Sequence, residues 1–337
     1  MYMIRKLLIG IVVSVFFFWL ILRNIDIAEA VVSLKQANWL YAIPAVVILL
    51  ISFVFRAIRW QVLLGPVGRV GFGSSFKATM IGFMANSILP ARMGEFIRAF
   101  VLTRREGIKV ESVFATIVVE RIFDGYMLLL FLLGGLFIAP LEGSGARFLK
   151  TGIIASIIIY NGVLIAMLFL YHKQESTIQF FHKILKWLPW SDRIIEALKR
   201  FSSGLGVLGS TKHVLIITGW TIVVWITAMA VLHPLLAGFD LGASLPWYAP
   251  YVITPVVALG VMLPAAPGYA GTFHAACVAG ILMLAPESDP SAGRAFSFAL
   301  HALNMLPIIV VGIICLWLEG LSFGDIGTQK KKPDSDN

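Results

Sequence analysis

The sequence predicts an all-α, polytopic membrane protein with about eight membrane segments, two of them interrupted. Three observations predict it. Hydrophobic residues make up 59% of the 337-residue chain and charged residues only 13%, against roughly 45–50% and 25% in soluble domains. Mean hydropathy is +0.89. The apolar residues also arrive in blocks, several long enough to cross a bilayer core about 30 Å thick. A cytosolic enzyme, a secreted disulfide scaffold and a disordered chain are all excluded.

The segments follow in order. The first apolar run is Leu7–Leu22, flanked by Arg5, Lys6 and Arg23. Ala28-Glu29-Ala30 has a faint cleavage-site pattern, but it lies past the run and more spans follow, so an uncleaved first helix is expected. The second span is Leu40–Phe55, closed by Arg56 and Arg59. The third is Ile122–Leu141, the fourth Thr151–Tyr171, the fifth His213–Leu236 and the last Ala295–Leu318. Two further apolar regions are interrupted. Phe76–Leu102 breaks at Pro90. Trp247–Ala285 breaks at Pro264, Pro267, Gly268 and Gly271.

Net charge is +9. In a chain this apolar, the positive charge is expected to mark the inner side of a cell membrane rather than a nucleic-acid surface. With the N-terminus inside, only Arg23, Lys35, Arg147, Lys150 and Arg294 fall outside, and Arg121 sits at a helix start. Both termini are therefore expected to be cytoplasmic. The segment between Arg56–Lys77 and Arg104–Lys109 must then enter and leave on one side, as a re-entrant hairpin. The region 247–285 must also return to its starting side, as two short spans or a second hairpin. Broken backbone at membrane depth survives only where protein or a watery cavity covers it.

Residues 176–201 are amphipathic and basic. Ile178, Phe181, Ile184, Leu185 and Leu188 recur at helical spacing. After Pro189 the pattern resumes at Ile194, Ile195, Leu198 and Phe201. A helix pair on the inner leaflet and a plain cytoplasmic connector both fit. Residues 323–337 read as a polar cytoplasmic tail behind one membrane domain, 1–322. Cys277 and Cys315 lie in apolar stretches and offer neither disulfide nor zinc spacing.

The two interruptions echo each other. Leu89-Pro90-Ala91-Arg92-Met93-Gly94 and Leu263-Pro264-Ala265-Ala266-Pro267-Gly268 both read L-P-A-x-x-G. By the topology above they are entered from opposite sides, the sequence pointer to an inverted-repeat transporter. Chance similarity between two Pro/Gly breaks is the competing reading. A broken helix frees backbone N–H groups at a half-helix start, which suits an anion.

The informative charges are Arg92, Glu95 and Arg98, then Glu120, Arg121 and Asp124, with Asn86 nearby. Ionisable groups inside membrane segments are costly and usually pair or line a pathway. Arg92, Glu95 and Arg98 share a helix face by spacing, as do Glu120 and Asp124. One polar cluster joining the two segments is expected. Two readings stay open. The charges fix the hairpin as ion pairs, or the arginines bind a lipid phosphate while the carboxylates balance charge or carry protons.

At these residues a resemblance emerges. Arg56-Ala-Ile-Arg59-Trp60, the stretch Gly82 to Ala99 around Asn86, Pro90, Arg92, Gly94, Glu95 and Arg98, and Val119-Glu120-Arg121-Ile-Phe-Asp124-Gly125 resemble the lysylphosphatidylglycerol synthase transmembrane-region, or flippase-like, family. Pro267-Gly268-Tyr269-Ala270-Gly271 resembles its second turn. The resemblance covers most of the chain. It implies paired re-entrant segments and a role in moving or handling lipids. The stretch after the last span has no room for the aminoacyl-transfer domain of two-part synthases, so lipid lysylation by this chain alone is not expected. Thr272, Phe273 and His274 stand where many relatives carry charged residues, which weakens a charge-coupled role for the second half.

Other signals are bland. Gly204-x-Gly206-x-x-Gly209 lacks a preceding strand and reads as a loop. His233, His274 and His301 have no metal spacing and read as interhelical hydrogen-bonders, with His301 and Asn304 on one face. Trp39, Tyr41, Trp187, Trp190, Trp247 and Tyr248 read as interfacial anchors. No cofactor and no metal are expected, and no Walker loop is present.

The expected function is a flippase or scramblase for a phospholipid or lipid-linked phosphate. Arg92, Arg98 and Arg121 would bind phosphate, and Glu95, Glu120 and Asp124 would balance charge or couple protons. Asn86, Pro90, Gly94, Pro264, Pro267, Gly268 and Gly271 would shape the breaks. The alternatives are an intramembrane transferase using Glu120 and Asp124 on a lipid-linked substrate, and a non-catalytic partner of a lipid-modifying or glycosyl-transfer enzyme. Membrane lipids are the expected partners.

Overall fold

The computed structural model describes residues 27–89, 92–138, 144–187, 190–239, 241–262, 267–288 and 290–321. The expected first span, Pro90, Pro264 and the 323–337 tail lie outside them. Among the described residues every regular element is helical.

The helices are α1 (Ile27–Gln36), α2 (Ala42–Leu64), α3 (Phe72–Ile88), α4 (Gly94–Glu106), α5 (Val110–Ile138), α6 (Ser144–His172), α7 (Gln174–Leu185), α8 (Ser191–Gly204), α9 (Thr211–Ala230), α10 (Leu232–Gly238), α11 (Ala249–Met262), α12 (Ala270–Leu284) and α13 (Pro290–Leu318). Four stretches are long and apolar enough to cross a membrane: Trp39–Leu64, Thr151–His172, Thr211–Gly238 and Ser291–Leu318. The chain is thus a polytopic helical membrane protein.

Two helices outrun their apolar runs. α2 continues through Arg56 and Arg59 to Leu64, and α5 begins at Val110 rather than Ile122. The reason is packing. Arg59, Glu120 and Asp124 are buried inside the bundle, so the charges meet protein rather than lipid and need not end a helix. The fifth span breaks between α9 and α10, close to Pro234. A proline ring clashes with the carbonyl four residues earlier, here Ala230.

Both interrupted regions are helix–break–helix hairpins, α3–α4 and α11–α12. The last span orders them along its length. From its start, α13 sets Gly293 against Ile281, Ser297 on His274 and His301 on the Gly268 carbonyl. It then sets Gly312 against Met84 and Glu319 on Lys77 at 2.6 Å. Thus α12 covers the first half of α13 and α3 the second. At about 1.5 Å per residue, its 29 residues span about 43 Å, more than a bilayer core. The hairpins open at opposite ends of this span and meet tip to tip near its middle.

The two ends differ in charge. One gathers Lys77, Arg105 and Glu319, with Arg200 on Glu111 at 3.2 Å. The other joins Asn38 N–H to the Gly238 carbonyl at 2.8 Å and carries the exposed rings of Trp39 and Trp247. The amphipathic stretch forms α7 and α8. α8 packs on the start of α5, where Ser112 donates to the Arg200 carbonyl at 2.7 Å, while Phe180, Trp187 and Trp190 stay exposed.

Candidate functional site

The first hairpin closes on glycine and asparagine. A Cβ on Gly82 would lie 2.7 Å from Arg98 Cβ, and one on Gly94 would overlap the Gly82 carbonyl and the Asn86 side chain. With no Cβ in the way, Gly94 N–H donates to Asn86 Oδ1 at 2.8 Å. Asn86 therefore caps α4 from across the break, satisfying one of its free N–H groups.

This closure sets Arg98 toward α5. Arg98 Nη1 lies 3.0 Å from Glu120 Oε1, and its Cζ sits 3.7 Å from the Trp60 ring centroid. The same Glu120 oxygen takes Arg59 at 3.2 Å and Arg121 at 2.5 Å. Arg59 also holds Asp124 through both terminal nitrogens, at 2.6 and 3.2 Å. Arg121 reaches Asp124 at 3.4 Å and Glu95 at 3.9 Å. From α9, Thr221 Oγ1 accepts from Arg59 at 3.1 Å and Trp225 Nε1 donates to Asp124 at 3.2 Å. The expected single cluster exists, and it ties four helices together: α2, α4, α5 and α9.

Arg59 is the residue that sequence reasoning placed elsewhere. It reads as a charge closing the second span, yet its side chain is fully buried. The signal was the apolar run Trp60, Val62, Leu63 and Leu64 beyond it. Thr221, Trp225 and Trp60 carried no such signal. Arg92 also departs from expectation. It precedes α4 in a left-handed conformation, φ 53°, so it leaves the face shared by Glu95 and Arg98.

Arg92 instead crosses to the second hairpin. Its Nη2 donates to the Val261 carbonyl at 2.9 Å, at the end of α11, and its guanidinium lies 5.6 Å from the Tyr269 ring centroid. The second break has its own left-handed pair, Gly268 (φ 72°) and Tyr269 (φ 57°). His301 binds the Gly268 carbonyl at 2.7 Å, and a Cβ on Gly268 would lie 3.4 Å from the Ser87 carbonyl. Pro267 opens this turn and Gly271 lies in the first turn of α12. The tips are thus joined by Arg92 and by the Gly268–Ser87 approach.

The sequence-predicted residues split into two groups. Arg98, Glu120 and Asp124 are buried, while Arg92, Glu95 and Arg121 are partly exposed. Tyr269 lies beside Arg92, its ring centroid 5.6 Å from the guanidinium, and the Tyr160 hydroxyl of α6 lies 3.9 Å from the Met262 sulfur at the end of α11. The Tyr160 ring occupies the space above Gly125, where a Cβ would overlap it. The partly exposed guanidinium groups of Arg92 and Arg121 can bind a phosphate through charge-assisted hydrogen bonds. Among the described residues no group of His, Cys, Asp and Glu could hold a metal ion.

Comparison with known proteins now bears on this arrangement. The family described as the lysylphosphatidylglycerol synthase TM region matches residues 7–312. The chain belongs to this family. The chain is similar to a protein named glycosyltransferase AglD from Haloferax volcanii, with 25% identity over 90% of the chain and 53% of that relative. The chain thus spans about half the length of AglD. It is similar to a UPF0104 membrane protein of Methanocaldococcus jannaschii at 22% identity, covering 93% of the chain and 90% of the relative. A UPF0104 membrane protein of Archaeoglobus fulgidus is 25% identical over 78% of the chain and 83% of that protein. No solved structure matches. Both hairpins and the whole ionic cluster fall within the family's matched range.

Proposed function

We propose that the protein moves a phosphate-bearing lipid between leaflets, as a flippase or scramblase. One observation carries the reading: two hairpins that open at opposite ends of α13 meet at Arg92, and Glu95, three residues further on, reaches the partly exposed Arg121 at 3.9 Å. A headgroup at this point is within reach of both sides of the membrane. Broken helices at a midplane site, one from each repeat, are the usual construction of alternating-access transporters. Arg92 and Arg121 take the phosphate, and Arg98 supports them through Glu120. Glu120 and Asp124 balance the arginines, and Glu95 is the one carboxylate of the group at the rim.

The transferase alternative gains nothing from this geometry. Glu120 Oε1 and both Asp124 oxygens are held by guanidinium groups, a poor arrangement for a carboxyl that must exchange a proton. A second reading does have support. The AglD match covers about half of a protein named as a glycosyltransferase, which favours a membrane unit acting beside a glycosyl-transfer enzyme on a lipid-linked substrate.

The test is headgroup accessibility in proteoliposomes. Reconstituted protein should expose fluorescent phospholipid, or a polyprenyl phosphate, to an external quencher faster than protein-free vesicles. Arg92→Ala and Arg121→Ala should each lower that rate at least tenfold. If wild-type protein moves neither lipid class, the transport reading is wrong. Stable co-purification with a glycosyl-transfer enzyme would then favour the second.

A further inference from the structure

Beyond the arginines of the cluster lies Arg56, one turn before Arg59 on α2. Its guanidinium makes no hydrogen bond or ion pair among the described residues, and its Nε is buried without a partner. It is framed by two rings, with Cζ 5.7 Å from the centroid of Phe53 and 5.5 Å from that of Phe83. Those rings meet edge to face at 4.9 Å. The charged groups that act on it are Asp124, Arg59, Arg121 and Glu120, so it belongs to the electrostatic neighbourhood of the cluster without joining its ion pairs.

The charge balance gives this position its meaning. Arg59, Arg98 and Arg121 are matched by Glu120, Asp124 and the rim carboxylate Glu95. Arg56 is then a cation in excess. A guanidinium held in a membrane bundle without a counter-ion is unfavourable, and such groups mark ligand or ion pathways. The side chain is only partly buried, so an anion can reach it. Phe53 and Phe83 hold the guanidinium plane by cation–π contact and leave its donor edge free. An oxyanion is the ligand that such a fork fits, through two parallel N–H···O bonds.

We infer that Arg56 is a second anion-binding station, specific for a phosphate oxyanion and set one turn before Arg59 on α2, outside the ion pairs of the cluster. This rests on the proposed lipid transport only in naming the phosphate's carrier. Free phosphate presents the same oxygens.

Thermal unfolding of detergent-purified full-length protein tests the station, with inorganic phosphate in one arm and short-chain phosphatidylglycerol in the other. Wild-type Tm should rise with phospholipid, and Arg56→Gln should remove at least half of that rise. Arg56→Lys should keep part of it. Without ligand, Arg56→Gln should unfold no lower than wild type, because it deletes an unpaired cation. Arg59→Gln should unfold well below wild type, because it opens a buried pair. A stabilisation by lipid alone assigns the station to headgroups, and stabilisation by both probes assigns it to phosphate from either source. If Arg56→Gln keeps the full ligand-induced rise, or lowers the ligand-free Tm as Arg59→Gln does, the station is overturned. An Arg56-dependent shift in a protein that moves no lipid would uphold the station and remove the transport reading.

Discussion

Arg59 and Asp124, 65 residues apart in sequence, form a two-pronged pair in which each guanidinium terminal nitrogen meets its own carboxylate oxygen. The pair joins the second span to α5, and Thr221 and Trp225 of α9 close it from a third side. The cluster therefore fixes the relative positions of three helices at the depth where α4 of the first hairpin adds Arg98. Buried pairs of this kind contribute little net stability over an apolar core, but half of one is costly.

Removing a single partner should therefore be worse than removing both. Asp124→Leu alone should cost roughly 3–5 kcal/mol by leaving Arg59 only the Glu120 oxygen that it shares with Arg98 and Arg121. Arg59→Met combined with Asp124→Leu should recover a large part of that loss. Denaturant unfolding of the detergent-solubilised protein measures both. Simple additivity of the two single variants would show that the residues do not act as a pair.

The first hairpin depends on backbone proximity at Gly94. Gly94→Ala places a methyl group on the Gly82 carbonyl and the Asn86 side chain, so the helices must separate and folded protein should not be recovered. Asn86→Ala removes only the hydrogen bond to Gly94 N–H, worth about 1 kcal/mol. The size-exclusion profile after extraction should separate the two: aggregate for Gly94→Ala, a monodisperse peak for Asn86→Ala. A monodisperse Gly94→Ala would mean that the hairpin is looser than its geometry states.

At Gly125 the same kind of close approach seats Tyr160 of α6. Its span, Thr151–His172, buries only 17% of its most apolar window, so few contacts hold it. Gly125→Ala should displace the ring and cost about 1–3 kcal/mol, the usual price of overpacking. Adding Tyr160→Ala should relieve the clash and restore part of the Tm. A Gly125→Ala protein with unchanged Tm would contradict the seating of the ring.

The elements legible in sequence were those set by hydrophobic run length and by breaks. The positions of the two interruptions and the polar cluster around Glu120 and Asp124 followed from Pro, Gly and charge placement. What was not legible came from tertiary packing. Arg59 looked like a span end because nothing local shows that Asp124 lies beside it. Arg92 looked like part of a helical face because spacing carries no sign of a left-handed residue. Tyr160 carried no signal, and Tyr269 read only as part of the second turn, whose meeting with the first hairpin brings its ring to Arg92.

Arg92 is where backbone and chemistry separate most cleanly. A non-glycine residue at φ 53° carries a left-handed cost of roughly 1–2 kcal/mol, held here by the bond to the Val261 carbonyl and the Tyr269 ring. Arg92→Ala keeps the backbone cost and loses both contacts. Arg92→Gly loses the same contacts but removes the cost, less the roughly 0.5–1 kcal/mol that glycine pays in entropy. Arg92→Gly should therefore unfold at higher temperature than Arg92→Ala. If the guanidinium is what a headgroup needs, both variants should move lipid equally slowly in proteoliposomes, at least tenfold below wild type. Transport that follows Tm, with Arg92→Gly active and Arg92→Ala not, would show that the residue serves the turn alone and would remove Arg92 from the binding site.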